Sequence, residues 1–233
     1  MSITFLTVAT CPAKAHWLLQ SAYAYRVSVN VLGVGDLFPV DEDGLIFNSH
    51  KILHMRRALV DLEGIVAFVD GFDCLFVRDP APMEKEFLQT GRKVLMASEV
   101  CCAPDHNLVD AFPLVDTPYR FLNSGCYIGR AADLRELLAQ IDYTQSRSDQ
   151  LLLCRYYVQQ TGRLSLDHGC QFFQCLCYAE DHLVETPRGL QNRFTGSLPY
   201  VIHGNGNTDM SAVRRWLARR QGWSVPENII ISA

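Results

Sequence analysis

The segment IVAFVDGFDCLFV, residues 65–77, constrains the chain more than any other. Ile65, Val66, Ala67, Phe68 and Val69 form an unbroken apolar run, the pattern of a strand buried on both faces. Such strands belong to parallel sheets whose faces are covered by helices. The run ends at Asp70, and Asp73 follows across a turn opened by Gly71. Ligands of open α/β sheets bind at the carboxyl edge of the strands, where both carboxylates would stand. Two carboxylates at that spacing can share one hard divalent cation, which can in turn hold a diphosphate. The plain alternative is that Asp70 caps the turn and Asp73 is solvated.

The rest of the chain alternates strand and helix patterns. Strands are expected over residues 3–10, 27–32, 94–97, 164–166 and 200–203. Helices are expected over 13–25, 50–62, 134–141, 148–160 and 211–221. Asn123, Ser124 and Gly125 read as a turn into a strand that ends at Gly129. Ser148 is placed to cap the helix that follows it, with Asp149 in the first turn. Residues 33–49 form a polar loop long enough to suggest a role over a site. The expected fold is α/β, a mainly parallel sheet with helices on both faces. One domain over residues 1–210 is expected, with a basic C-terminal helix and tail over 211–233. Trp223 and Ile229, Ile230 and Ile231 in that tail form either an interface or a segment packed back on the domain.

With 48% hydrophobic and 20% charged residues, a chain of 233 residues can build a sizeable core. A formal net charge of −4 argues against nucleic acid or an anionic membrane as partner. No run approaches the roughly 18 apolar residues of a membrane span, and the first apolar segment reads as a strand, not a signal peptide. A cytoplasmic location is therefore expected. Nine cysteines are present. Cys74, Cys126, Cys154 and Cys175 sit in apolar segments as small core residues. Neither the Cys101, Cys102 pair nor Cys175 with Cys177 has a zinc-knuckle spacing.

A second apolar strand ends in a candidate ligand: Val201, Ile202, His203, followed by Gly204, Asn205, Gly206. A neutral imidazole can complete a shell begun by two carboxylates, and that mixed set suits manganese better than magnesium. The glycines would let backbone N–H groups approach a phosphate. His203 can equally be an ordinary strand-end histidine followed by turn residues.

Several short motifs then occur in order. They are VAT at 8–10, LGVGD at 32–36, Lys51, FVDGFD at 68–73 and SEVCCAPD at 98–105. FLNSGCYIG at 121–129, DQL at 149–151, LDHGCQFFQ at 166–174 and VIHGNG at 201–206 complete the set. In this order, over nearly the whole chain, they resemble the glycosyltransferase domain of the procollagen lysyl hydroxylases. The resemblance implies a GT-A fold, a UDP-sugar donor (UDP-glucose or UDP-galactose) and Mn2+. It implies Asp70, Asp73 and His203 as metal ligands. Val8 and Thr10 would line the uridine site, Phe72 would stack on the base, and Asn205 and Gly206 would meet the diphosphate. Lys51 would belong to the donor-binding set. The implied reaction moves glucose or galactose to a hydroxyl acceptor such as (galactosyl)hydroxylysine of a collagen-like protein. The family's iron-dependent hydroxylase domain is not expected in this chain.

For catalysis, Asp149 is the acceptor-side candidate, because the family carries aspartates there; a helix N-terminal acid is the alternative. Asp167 either serves the same pocket or forms a structural pair with His168. Three positions depart from the family: Ala103 replaces a tryptophan beside the donor, Ser146, Arg147 and Ser148 replace an acidic run, and Asp209 replaces a lysine. Arg214 and Arg215 lie just beyond Asp209, either folded over the diphosphate or on a solvated amphipathic helix with Trp216 and Leu217 packed down. A catalytically silent UDP-sugar or glycan-binding module is the competing function. A nucleotidyltransferase is a third.

Overall fold

The computed structural model describes residues 3–160 and 162–223. In chain order the first half runs β1 (Thr4–Val8), α1 (His16–Ala24), β2 (Val29–Leu32), α2 (His50–Leu59), β3 (Ile65–Val69) and β4 (Cys74–Phe76). Then come α3 (Met83–Gln89), β5 (Val94–Glu99), β6 (Phe121–Arg130), α4 (Ala131–Ala139) and α5 (Asp149–Gln159). The chain continues through β7 (Ser165–Leu166), β8 (Phe173–Cys175), β9 (Leu183–Thr186), β10 (Gly189–Asn192), β11 (Val201–His203) and α6 (Ser211–Gln221).

Six strands form the central sheet in the order β2-β1-β3-β6-β5-β7. All five residues of β3 are buried, as an apolar strand at the centre of a sheet must be. Burying Ile65, Val66, Phe68 and Val69 contributes about 1.5–3 kcal/mol for each side chain. One apolar cluster packs α2, α4 and α5 on one face through Met55, Leu59, Leu134, Leu138 and Leu153. Another covers the opposite face with Leu18, Phe76, Met83, Phe87 and Phe173.

The sheet is mainly parallel, as expected, with one reversed strand, β6, that makes it mixed. β1 runs parallel to β2 and β3, and β5 parallel to β7, but β6 is antiparallel to both β3 and β5. Alternation of strands and helices does not encode this reversal, and β5 reaches β6 through a long excursion with no α-helix. Asn123, Ser124 and Gly125 are also not a turn. They lie inside a ten-residue strand. The β5–β6 register jumps from Met96↔Tyr127 to Ala97↔Asn123, which leaves residues 124–126 as a bulge. A glycine within a strand is the usual mark of such a bulge. Here the bulge turns the Gly125 carbonyl to accept the Asp70 N–H at 2.8 Å.

A small second sheet, β4-β11-β8, sits at the edge of the first. His203 of β11 stands opposite Cys74 on one side and Cys175 on the other. The expected helix over 211–221 is α6, and it packs Val213, Trp216 and Leu217 against Trp17, Leu75 and Ile202. Trp223 also packs against this cluster; the isoleucines at 229–231 lie outside the described residues. Among the described residues, no helix is long and apolar enough to cross a membrane.

Ser148 caps α5 as its position implies, its hydroxyl accepting the Leu151 N–H at 3.1 Å. Ser148→Ala is expected to lower stability by about 1 kcal/mol. Urea denaturation should show this as a lower midpoint with an unchanged slope.

Candidate functional site

β3 ends at Asp70, and the turn through Gly71 and Phe72 brings Asp73 to the start of β4. The antiparallel pairing of β4 with β11 then sets His203 beside Asp73. The Gly204 N–H donates to the Asp73 carbonyl at 2.8 Å, and His203 Nε2 lies 3.2 Å from Asp73 Oδ1. Asp70, Asp73 and His203 each offer a ligand atom, and all lie within 4.8 Å of one another. The strand pairing thus brings together residues 130 positions apart in sequence.

Two features hold the imidazole. Asn123 Oδ1, 3.0 Å from His203 Nδ1, accepts the Nδ1–H and leaves Nε2 facing Asp73. Gly125 makes room for the ring: a Cβ there would lie 2.0 Å from His203 Cε1. Burial opposes a charge on His203, but the Asp73 carboxylate overrides it and the imidazolium pKa is pushed up to about 10. Burial likewise opposes ionisation of Asp73, and the charge of His203 overrides it, lowering the carboxyl pKa. Asp73 Oδ1 is buried, makes no well-aligned hydrogen bond, and has the His203 ring as its close polar neighbour. A carboxylate oxygen and an imidazole nitrogen that face one another in this way are a donor set a divalent cation can take up.

Lys51, in the first turn of α2, reaches the same edge. Its Nζ lies 3.0 Å from Asp70 Oδ2 and 3.1 Å from Asp149 Oδ2. Burial opposes the ammonium charge, yet Asp149 and Asp70 together raise the Lys51 pKa above its ordinary value. Asp149, first residue of α5, therefore belongs to the charge cluster and is more than a favourable helix-terminal acid.

The remaining expected residues divide. Thr10 and the exposed Phe72 stand at the adjoining ends of β1 and β3. The Val8 side chain is buried in the main core, so only its backbone faces the edge. Gly206 adopts φ +68°, and a Cβ there would meet Cys177 Sγ at 2.7 Å. The Asn205 side chain is already occupied. Its Oδ1 accepts the Leu176 and Cys177 N–H groups, and its Nδ2 donates to Glu99. Its amide therefore shapes the loop rather than meeting a diphosphate. Asp167 is also a structural residue. Its carboxylate accepts the Gln171, Phe172 and Phe173 N–H groups at 2.9, 2.7 and 3.0 Å. His168 is not its partner; Nδ1 of that ring bonds the Tyr119 carbonyl.

Sequence reasoning missed the network behind the histidine. Glu99 is 1% exposed, and burial pushes its carboxyl pKa up. It accepts from Gln150 at 2.6 Å and from Asn205 at 2.6 Å. Gln150 also accepts from Asn123 Nδ2 and donates to the Ala103 carbonyl. A polar residue closing an apolar strand, as Glu99 closes β5, was the available signal. The thiols are a second surprise. Cys74 and Cys126, with Sγ atoms 3.5 Å apart, group with His203, which no spacing in the sequence indicates. All nine cysteines are free.

Comparison with known proteins agrees with this geometry. The chain is 32% identical over 219 residues to the human multifunctional procollagen lysine hydroxylase and glycosyltransferase LH3, covering 88% of this chain and 30% of that protein. It is also 32% identical over 222 residues to human procollagen-lysine,2-oxoglutarate 5-dioxygenase 1, covering 90% and 30%. The chain thus spans about a third of the length of these relatives. Among solved structures it resembles the galactosyltransferase LgtC in complex with donor and acceptor sugar analogs, with TM-score 0.53, 15% identity, and coverage of 97% and 98%. It also resembles mouse xyloside xylosyltransferase 1, with TM-score 0.50, 14% identity, and coverage of 89% and 99%. These likenesses identify the α/β architecture as the GT-A fold. The family model described as the PLOD GT domain matches residues 1–218, and the chain belongs to that family.

Proposed function

We propose that this protein transfers glucose or galactose from a UDP-sugar to a hydroxyl acceptor, with a divalent cation held by Asp70, Asp73 and His203. The reading rests chiefly on one observation: the ligand atoms of those three residues converge at the sheet edge, within 4.8 Å of one another. The mixed carboxylate and imidazole set favours Mn2+. When bound, such a cation supplies Lewis-acid stabilisation of the departing diphosphate.

The chain's own residues do the rest. Asn123 keeps the Nδ1 proton of His203 in place and presents Nε2 toward Asp73. Lys51 neutralises part of the carboxylate charge and holds Asp70 and Asp149 in fixed relation. Asp149 stands on the acceptor side of that lysine and takes up the proton of the attacking hydroxyl. Phe72 and Thr10 receive the nucleoside. Hydroxylysine-type peptides are the first acceptors to try, by similarity to the relatives above.

Release of UDP from a panel of UDP-sugars, with and without Mn2+, tests the reading. Metal-dependent release from UDP-glucose or UDP-galactose is expected, and Asp73→Asn should abolish it. A folded protein that binds UDP and Mn2+ but releases nothing would instead be the silent binding module. A second prediction concerns protons. Nε2 must be deprotonated to ligate, and the folded pKa is about 10 against an ordinary 6.5. Cation binding near pH 7.5 should therefore release a proton, and Mn2+ affinity should rise by about tenfold per pH unit toward pH 9. In the metal-free protein the sign is opposite: the ion pair with Asp73 stabilises fully below pH 6.5 and is lost as pH rises through about 10. Calorimetric Mn2+ titrations in buffers of different ionisation enthalpy measure the first effect. Absence of proton release would exclude a protonated His203 as the resting state.

A further inference from the structure

Arg214 differs from the other half-buried arginines of the fold. Arg56 and Arg120 donate to backbone carbonyls, and Arg78 pairs with Glu86. Arg214 has no hydrogen bond or ion pair from its side chain among the described residues. Its Nε is buried and without an acceptor. The guanidinium carbon lies 5.2 Å from the centre of the Trp17 ring. The Trp17 indole Nε1 is also buried without an acceptor. Two buried donors on stacked groups are costly to leave unsatisfied, so an acceptor is missing at this point.

The position says what kind of acceptor. Trp17 lies in α1, which begins soon after the carboxyl end of β1. Arg214 lies in α6, whose approach is set by the loop that follows His203. The Arg214 N–H donates to the Met210 carbonyl at 2.9 Å, and Met210 packs onto Gly204, where a Cβ would meet its Cγ at 2.4 Å. The stacked pair is thus anchored to both segments that frame Asp73. Burial lowers the Arg214 pKa, and the charges of Asp209 and Asp73 oppose that shift. Asp209 does not engage Arg214 directly; its carboxylate accepts the Ser211 N–H at 2.8 Å.

Charge balance points the same way. Asp70, Asp73 and Asp149 outnumber Lys51, and a divalent cation would bring that cluster close to neutrality. A diphosphate arriving there would bring negative charge with no remaining counter-charge except an arginine. We propose that Arg214, held over the Trp17 ring, binds the diphosphate of the donor nucleotide. A planar guanidinium suits phosphate oxygens, which it can take in pairs, and stacking fixes its plane before the ligand arrives. The neighbouring Arg215 is exposed and has no such platform. This assignment rests on the reading of the site as a nucleotide-sugar site.

Calorimetric titration of UDP, inorganic pyrophosphate and uridine, each with Mn2+, separates the two. Arg214→Ala and Arg214→Met should each weaken UDP and pyrophosphate by about tenfold or more. Uridine binding and Mn2+ binding alone should not change. Arg214→Met keeps an apolar chain on Trp17, so its melting temperature should match the parent protein and it decides the matter if the alanine variant folds poorly. Arg215→Ala should stay within about twofold. If the parent protein binds UDP and pyrophosphate and Arg214→Met binds them equally well, the Arg214 assignment is overturned while the nucleotide-site reading stands. If the parent protein binds neither ligand with Mn2+, both fall.

Discussion

A buried ammonium keeps its charge only when carboxylates surround it, and Lys51 has two, Asp70 and Asp149. This triad joins three separate elements: the first turn of α2, the end of β3 and the start of α5. Removing the lysine would leave two carboxylates facing one another in a poorly hydrated pocket, a large penalty for either to remain ionised. Around it the remaining parts of the site find their places. Asp73 extends the cluster one turn beyond β3, and His203 closes it from the second sheet.

Behind that first layer lies a largely buried polar network. Glu99, Gln150, Asn123 and Asn205 satisfy one another and end on the His203 ring. Such a network is stabilising only when its members are paired. Its effect here is orientation: the ring plane is set before any ligand binds, and Nε2 is the nitrogen left to give up its proton and ligate. Gly125 is the steric counterpart of the same device, since no side chain fits between the β6 bulge and the ring.

Departures from the family cluster on the rim of the site, and its floor is intact. Ala103 offers backbone groups only, its carbonyl to Gln150 and Cys154 and its N–H to the Cys101 carbonyl, and has no large side chain to place at the rim. Arg147 pairs with Asp41 and, through its carbonyl, with the Ser49 N–H. It thereby pins the long 33–49 loop to the start of α5, where the family has acidic residues. Asp209 precedes α6, and the proposed diphosphate cation, Arg214, lies in the first turn of that helix.

Much of this was legible in the linear chain. The apolar run before Asp70, the strand before His203, the Ser148 cap and the bounds of α6 follow from local periodicity and capping chemistry, which depend on near neighbours only. The parallel direction of most of the sheet followed as well, but the reversal of β6 did not, because it is antiparallel for topological reasons that no local pattern carries. The register that sets His203 against Asp73 depends on hydrogen bonds between β4 and β11, and the turn mistaken at Asn123, Ser124 and Gly125 is a bulge only because β5 lies beside it. Asp167 looks like a catalytic acid in sequence and Asn205 like a ligand, and both are hydrogen-bond hubs in space: the loop after Asp167 folds its own N–H groups back onto the carboxylate, and the distant Leu176 and Cys177 N–H groups reach Asn205. Residue chemistry was readable from the order of amino acids; which partner each group meets was decided by packing, since a hydrogen bond or ion pair depends on distances of about 3 Å that only the assembled fold defines.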